Sequence, residues 1–205
     1  DHELLSKYHE GLVCLSACLA GEIPQALLND DIEKAEETAM FYKTLFGEDF
    51  YIELQDHGIE EQRTILPALI RLAKKLNIEL VATNDCHYIE KSDSKMQHAM
   101  VCVQTNKHMD DPNPLEFETE EFYVKSTDEM YDLFAYIPAA CANTVKVAEK
   151  CNFDYEFGKT KLPKYENPMG ISNKDFFVKM CYDGLEKRYP VITKELTDRL
   201  EYEIS

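Results

Sequence analysis

Three short apolar runs, separated by amphipathic stretches, restrict how this chain can fold more than any other feature. The first, Gly11-Leu12-Val13-Cys14-Leu15-Ser16, reads as a buried strand. Phe50 to Gln55 gives the second strand and Ile78 to Thr83 the third. Between the first two, Ile32, Ala35, Ala39, Tyr42 and Phe46 recur every three or four residues and share one helix face. Asn29 or Asp30 can cap that helix, and Gly47 ends it. Leu66, Leu69, Ala73 and Leu76 define a second helix face. Pro67 sits inside that stretch and predicts a kink or a late start. Strands alternating with helices in this way imply βαβ units, parallel pairing and an α/β fold class.

The second half of the chain changes character. Asp110 to Pro114 is a turn-rich break, and Phe122 to Val124 predicts a short strand. Helices are expected at about 127–134 and at 138–150, where Pro138 suits the first turn. Residues 157–170 contain Gly158, Pro163, Pro168 and Gly170 and read as an extended linker. Helices at 173–188 and 193–205 complete a mainly helical segment. No internal repeat or low-complexity tract is present.

Charge narrows the function. The chain carries 39 acidic and 22 basic residues, a net charge of −17. Surfaces that grip nucleic acid are rich in Lys and Arg, because neutralised phosphates supply the non-specific affinity. The longest basic cluster here is Lys74-Lys75, so the chain is not expected to hold DNA by itself. Seven Cys residues contain no CxxC pair and fit reduced cytosolic thiols, hence a cytoplasmic protein. No run of about 18 apolar residues predicts a membrane span, and the polar first residues do not form a signal peptide. The chain starts at Asp1 without Met and stops at Ser205 within a Leu196/Leu200/Ile204 helical repeat. It therefore reads as a piece of a longer polypeptide.

Parallel α/β sheets collect functional groups at the carboxyl ends of their strands. The first strand delivers Ser16 and Cys18, the second Gln55 and His57, and the third Asp85 and His87. If strand geometry persists to Asp85 and His87, two residues apart, their side chains leave from the same face. An imidazole and a carboxylate so placed suit one metal ion. A Cys, a His and an Asp together suit zinc, with manganese possible if more carboxylates join. Such a metal acidifies bound water to a pKa of about 7, which serves phosphoester hydrolysis. Plainer readings exist for each residue. An Asp-x-His pair at a strand end is often only a hydrogen-bonded cap. A lone Cys is usually a small buried hydrophobe. His57, between Asp56 and Gly58, is compatible with a turn. His98 and His108 read as solvent-facing, and Glu60-Glu61 and Glu116 to Glu121 as solvated acidic faces. The coincidence of all three strand ends favours a site, but three or four ligands complete no two- or three-metal centre.

Several longer segments carry a resemblance. These are residues 11–23 (GLVCLSACLAGEI), 50–58 (FYIELQDHG), 81–88 (VATNDCHY) and 122–126 (FYVKS), with Glu129-Met130, Ala142-Asn143-Thr144 and Leu162-Pro163. In order and spacing they resemble the bacterial DNA polymerase III alpha subunits, the C-family replicative polymerases, across nearly the whole chain. The resemblance implies that residues 1–130 are the second half of a PHP (polymerase and histidinol phosphatase) domain, a partial, distorted α/β barrel with metals at one end. Residues 131–205 then lead into the polymerase palm. It implies metal ligation by Asp85 and His87, which fall on the family's Asp-x-His motif, and by Cys18, where relatives place Cys or His. His57 and Gln55 fall in the Gln-x-His-Gly segment near that site. Ala17 stands where relatives often carry Gly.

The family's amino-terminal His-x-His motif is absent here, and its palm aspartates would lie beyond Ser205. The chain alone is therefore not expected to polymerise. For the parent, the resemblance implies DNA-directed synthesis from deoxynucleoside triphosphates at a magnesium centre outside this segment. It also implies a zinc or manganese PHP site, with possible 3′–5′ exonuclease activity. The implied partners are DNA, a sliding clamp and a proofreading exonuclease. Two alternatives stand beside it: a free-standing PHP-type phosphoesterase, and a silent PHP scaffold that docks a proofreading subunit.

Overall fold

The three apolar runs pair as one parallel sheet in the computed structural model of the chain, which describes residues 2–111, 117 and 119–205. Strands β1 (Cys14–Leu15), β2 (Phe50–Leu54) and β3 (Glu79–Ala82) lie in chain order with β2 in the centre. Cys14 stands opposite Phe50, and Ile52 opposite Leu80. Strand β1 is shorter than its apolar run. Gly11 (φ +77°) and Ala17 (φ +65°) turn the chain out of the extended conformation on either side of it. Ser16 still continues the ladder, donating its N–H to Tyr51 O at 3.1 Å.

Parallel neighbours need long crossovers, and helices supply them. After a short α1 (His2–Tyr8), the β1–β2 crossover holds α2 (Glu22–Leu28) and α3 (Ile32–Phe46). The N-cap of α3 is Asp31, not Asn29 or Asp30 as the sequence suggested. Asn29 closes α2 as its C-cap, and Asp30 takes φ +57° to turn between the helices. The Asp31 carboxylate then accepts from Lys34 N at 3.0 Å. The second crossover is α4 (Glu60–Leu76). It starts seven residues before Pro67, so the predicted late start does not occur. Pro67 lies on the exposed side of the helix, where the Arg63 carbonyl it leaves unbonded can reach water.

Downstream, α5 (Ser94–Thr105), α6 (Thr127–Leu133) and α7 (Pro138–Lys150) complete the first compact unit, residues 1–153. In place of a strand at Phe122 to Val124 there is an isolated bridge between Tyr88 and Tyr123. Residues 112–114 of the turn-rich break, and Glu116 and Glu118 of the acidic run, lie outside the described residues. The core is formed where Ile52 and Leu54 meet Ala35 and Ala39 of α3, Ile65, Leu69 and Ala73 of α4, and Phe134 and Ala140. Each large side chain buried there contributes about 1.5–3 kcal/mol relative to exposure. Helix α7 packs along β3, and Asn143 Nδ2 donates to Leu80 O at 2.7 Å and to Glu79 Oε2 at 2.8 Å. That contact occupies part of a sheet edge that would otherwise be open.

The second compact unit is residues 154–205. It begins with a stretch free of regular structure, as the Gly and Pro content predicts, and continues with α8 (Asn173–Arg188) and α9 (Lys194–Ile204). Tyr182 donates to Glu201 Oε1 at 3.2 Å across these two helices.

Candidate metal centre at the strand ends

Strand β3 stops at Ala82, so strand alternation does not carry Asp85 and His87 to one side. A turn does so instead. Asp85 adopts φ +44°, a conformation that Asp tolerates better than most residues, and the chain doubles back. His87 N–H donates to Phe122 O at 2.8 Å, which fixes the end of the turn. As a result Asp85 Oδ1 and His87 Nε2 lie 3.4 Å apart, each side chain about one-third exposed. Phe117 flanks the His87 ring at 4.5 Å and Phe122 meets it edge-on at 5.5 Å.

The donor set can be compared with a metal's requirements. Two ligand atoms at ordinary zinc distances on a tetrahedron are separated by about 3.4 Å. The Asp85–His87 spacing matches that edge, so the pair fits two positions of a metal site. It does not make a complete one: among the described residues no three His, Cys, Asp or Glu side chains converge as a metal-holding group. Cys18 is half-buried and lines a small cavity with Leu19, Pro24, Gln55 and Leu66. The structure therefore brings Asp85 and His87 together and does not gather Cys18 into a group with them.

The remaining strand-end residues form a hydrogen-bonded layer. His57 lies in a bend before Gly58, as its neighbours suggested, but its side chain is buried, 1% exposed. Its Nε2 lies 2.7 Å from Asn84 O, which accepts only, so Nε2 carries the proton. Its Nδ1 then accepts from Gln62 Nε2 at 2.9 Å. Gln62 Oε1 accepts the His57 backbone N–H at 2.7 Å, which fixes the orientation of that amide. The His57 ring stacks on Phe122 with centroids 4.1 Å apart and planes 6° from parallel. Ser16 Oγ accepts from Glu53 N at 2.9 Å and so ties β1 to β2. Gln55 donates to Glu53 Oε1 at 2.9 Å and to Thr83 Oγ1 at 3.1 Å, and Thr83 also donates to Glu53.

Sequence reasoning missed Glu53, Gln62, Asn84 and Phe122. Glu53 left one signal, a carboxylate inside the otherwise apolar run Phe50–Leu54. Asn84 and Phe122 left none, because they act through partners distant in sequence, and Gln62, five residues after His57, reads as one more polar position of a helix's first turn. His98 is half-buried with Nε2 withdrawn from solvent, not solvent-facing; His108 is exposed as expected.

The phenol of Tyr123 donates to Glu129 Oε1 at 2.6 Å, close to this layer. That bond and the Ser126 donors hold the Glu129 carboxyl down at about 2, and the Tyr123 phenol is pushed up to about 12. Glu121 is lowered, first by its hydrogen bond from Lys91.

Comparison with known proteins decides what this arrangement belongs to. The DNA polymerase III subunit alpha of Treponema pallidum is 44% identical over 206 residues, covering 100% of this chain and 18% of that protein. The Borreliella burgdorferi subunit is 40% identical, again over the whole chain and 18% of its own length. The Thermus aquaticus subunit is 35% identical over 93% of the chain. The chain belongs to the DNA polymerase III alpha family. Residues 1–57 also match the PHP domain family model. Asp85 and His87 lie beyond that match. The chain spans roughly a fifth of its relatives' length, 18% of the first two. The similarity runs through the helices after the sheet as well as the sheet itself. Among the described residues no helix is long and apolar enough to cross a membrane.

Proposed function

We propose that this segment is part of the PHP region of a DNA-directed DNA polymerase, and that Asp85 and His87 fill two positions of its metal centre. In this reading residues 1–130 are the PHP portion and residues 131–205 lead towards the palm. The observation that carries it is the 3.4 Å approach of Asp85 Oδ1 to His87 Nε2 at the carboxyl end of a parallel sheet. A polymerase alpha subunit is 44% identical over the same residues. Zinc or manganese suits the donors. A metal held there supplies Lewis acidity and an acidified water for attack on a phosphoester, as in a 3′–5′ exonuclease. The chain's own part is to hold the carboxylate and the imidazole ready. The Asp85 turn sets their separation, Phe117 and Phe122 fix the imidazole plane, and the remaining ligands come from elsewhere in the longer protein. Synthesis on DNA from deoxynucleoside triphosphates with magnesium, and contacts with a sliding clamp and a proofreading exonuclease, belong to that longer protein.

Metal analysis of the full-length protein tests this reading. Wild type is expected to retain zinc or manganese, and Asp85→Ala and His87→Ala each to lose most of it. A wild type without bound metal, leaving a labelled primer 3′ end intact, would leave the PHP region as a scaffold that docks a proofreading subunit.

A further inference from the structure

We propose that His57 is a positioning residue for the Asp85–His87 pair: it ligates nothing itself, and its ring holds the turn that carries both. The inference rests on the metal-centre reading above. Three observations lead to it. First, both ring nitrogens are already engaged, Nδ1 with Gln62 and Nε2 with Asn84 O. A side chain that is 1% exposed with no free nitrogen has no lone pair to offer a metal.

Second, the atom held by Nε2–H is the carbonyl immediately before Asp85. That peptide plane sets where the left-handed Asp85 begins, and so where its carboxylate points. The Asn84 side chain is held at the same time: Nδ2 donates to Tyr123 O at 2.8 Å, and Oδ1 accepts from Lys125 Nζ at 3.4 Å. Asn84 is thus fixed from both its main chain and its side chain, one residue ahead of the ligand pair.

Third, the His57 ring lies flat on Phe122, whose other contacts reach His87: the ring edge-on at 5.5 Å, and the Phe122 carbonyl on the His87 N–H at 2.8 Å. Thr119 closes the loop by donating to His57 O at 2.6 Å. One buried imidazole therefore touches the supports of both ligands, Asp85 through Asn84 and His87 through Phe122. Outer residues that orient ligands in this way change metal affinity by about 10–100-fold when removed.

The test uses the full-length protein and the metals alone. Zn²⁺ and Mn²⁺ binding is measured by calorimetry for wild type, Asp85→Ala, His57→Phe, His57→Gln and Gln62→Leu, each at a temperature where it is fully folded. His57→Phe keeps a ring on Phe122 and loses both hydrogen bonds. It is expected to bind about tenfold more weakly or worse, and in the metal-free protein its His87 amide should exchange faster. His57→Gln keeps a donor for Asn84 O but loses the ring on Phe122, and should bind between wild type and His57→Phe. Gln62→Leu frees the ring and should weaken binding. Wild-type affinity in His57→Phe, with affinity lost in Asp85→Ala, would overturn the positioning role while leaving the metal centre standing. Unchanged affinity in Asp85→Ala would overturn both. If His57→Phe does not fold, Gln62→Leu decides in the same sense.

Discussion

Ala17 has φ +65°, in the left-handed region where a Cβ crowds the neighbouring carbonyl. The residue sits between β1 and Cys18. The turn is tight because Gly21 returns against it: a Cβ at Gly21 would lie 2.5 Å from Ser16 O and 3.1 Å from Cys18 O. Left-handed Ala costs about 1–2 kcal/mol, and Gly gives back about 0.4–1 of that through the freer unfolded chain. Ala17→Gly is therefore expected to raise stability by about 0.5–1 kcal/mol, read as a higher midpoint in urea. A lower midpoint would show that the turn is not strained. At this scale the site was half legible in the sequence. Asp85 and His87 stood out as a candidate pair because they are ligand types two apart after an apolar run, and their side chains do meet. The surroundings of His57 could not be read, because Gln62, Asn84 and Phe122 reach it from three separate segments. Cys18, picked out by its position after a strand, lines a small cavity beside Gln55.

Helix α6 shows how one element depends on charge. Ser126 Oγ accepts from Glu129 N at 3.3 Å, and Glu129 Oε2 accepts from Ser126 N at 2.8 Å, a reciprocal capping box. Tyr123 adds a second donor to the same carboxylate. The donor from Tyr123, and then those from Ser126, favour the ionised form and hold the folded Glu129 carboxyl down at about 2 against an ordinary 4.5. A carboxyl depressed by folding contributes stability that is fully present above its unfolded value and is lost as pH falls towards the folded one. The stability gap between wild type and Glu129→Gln should thus be constant from neutral pH to near 4.5 and narrow below it, as followed by thermal unfolding. A gap independent of pH down to about 3 would refute the capping role of the charge. Elements of this kind were readable because their apolar positions recur at helical spacing or their caps are explicit, as for α3, α4, α7 and α8. Three helices escaped. Helix α1 is short and polar. Helix α2 starts at Gly21 without a side-chain cap and contains Pro24, a residue that reads as a breaker but is harmless in a first turn. Helix α5 exposes Met96, Met100 and Val103, so its apolar face points away from any core within this chain.

For the molecule as a whole, the decisive quantity is the net charge of −17. Several of the basic residues that might offset it already face carboxylates. Lys75 pairs with Glu36, Lys150 with Asp49, and Lys91 and Lys125 both with Glu121. Lys75 of the Lys74-Lys75 cluster is among these paired residues. DNA binding draws its non-specific strength from counterions released as cations neutralise phosphates, giving dissociation constants of about 10⁻⁴–10⁻⁶ M at physiological salt. A segment whose lysines already face carboxylates releases few such ions and repels the backbone besides. The 205-residue chain alone is accordingly expected to show no saturable binding to a labelled primer–template by fluorescence anisotropy. Lowering the salt should not rescue it, because weaker screening lengthens the reach of like-charge repulsion. The full-length protein, of which this segment matches only 18% in its relatives, should bind with affinity that falls as salt rises. Saturable, salt-sensitive binding by the segment alone in the micromolar range would overturn this expectation, since it requires a basic surface strong enough to outweigh the net charge of −17.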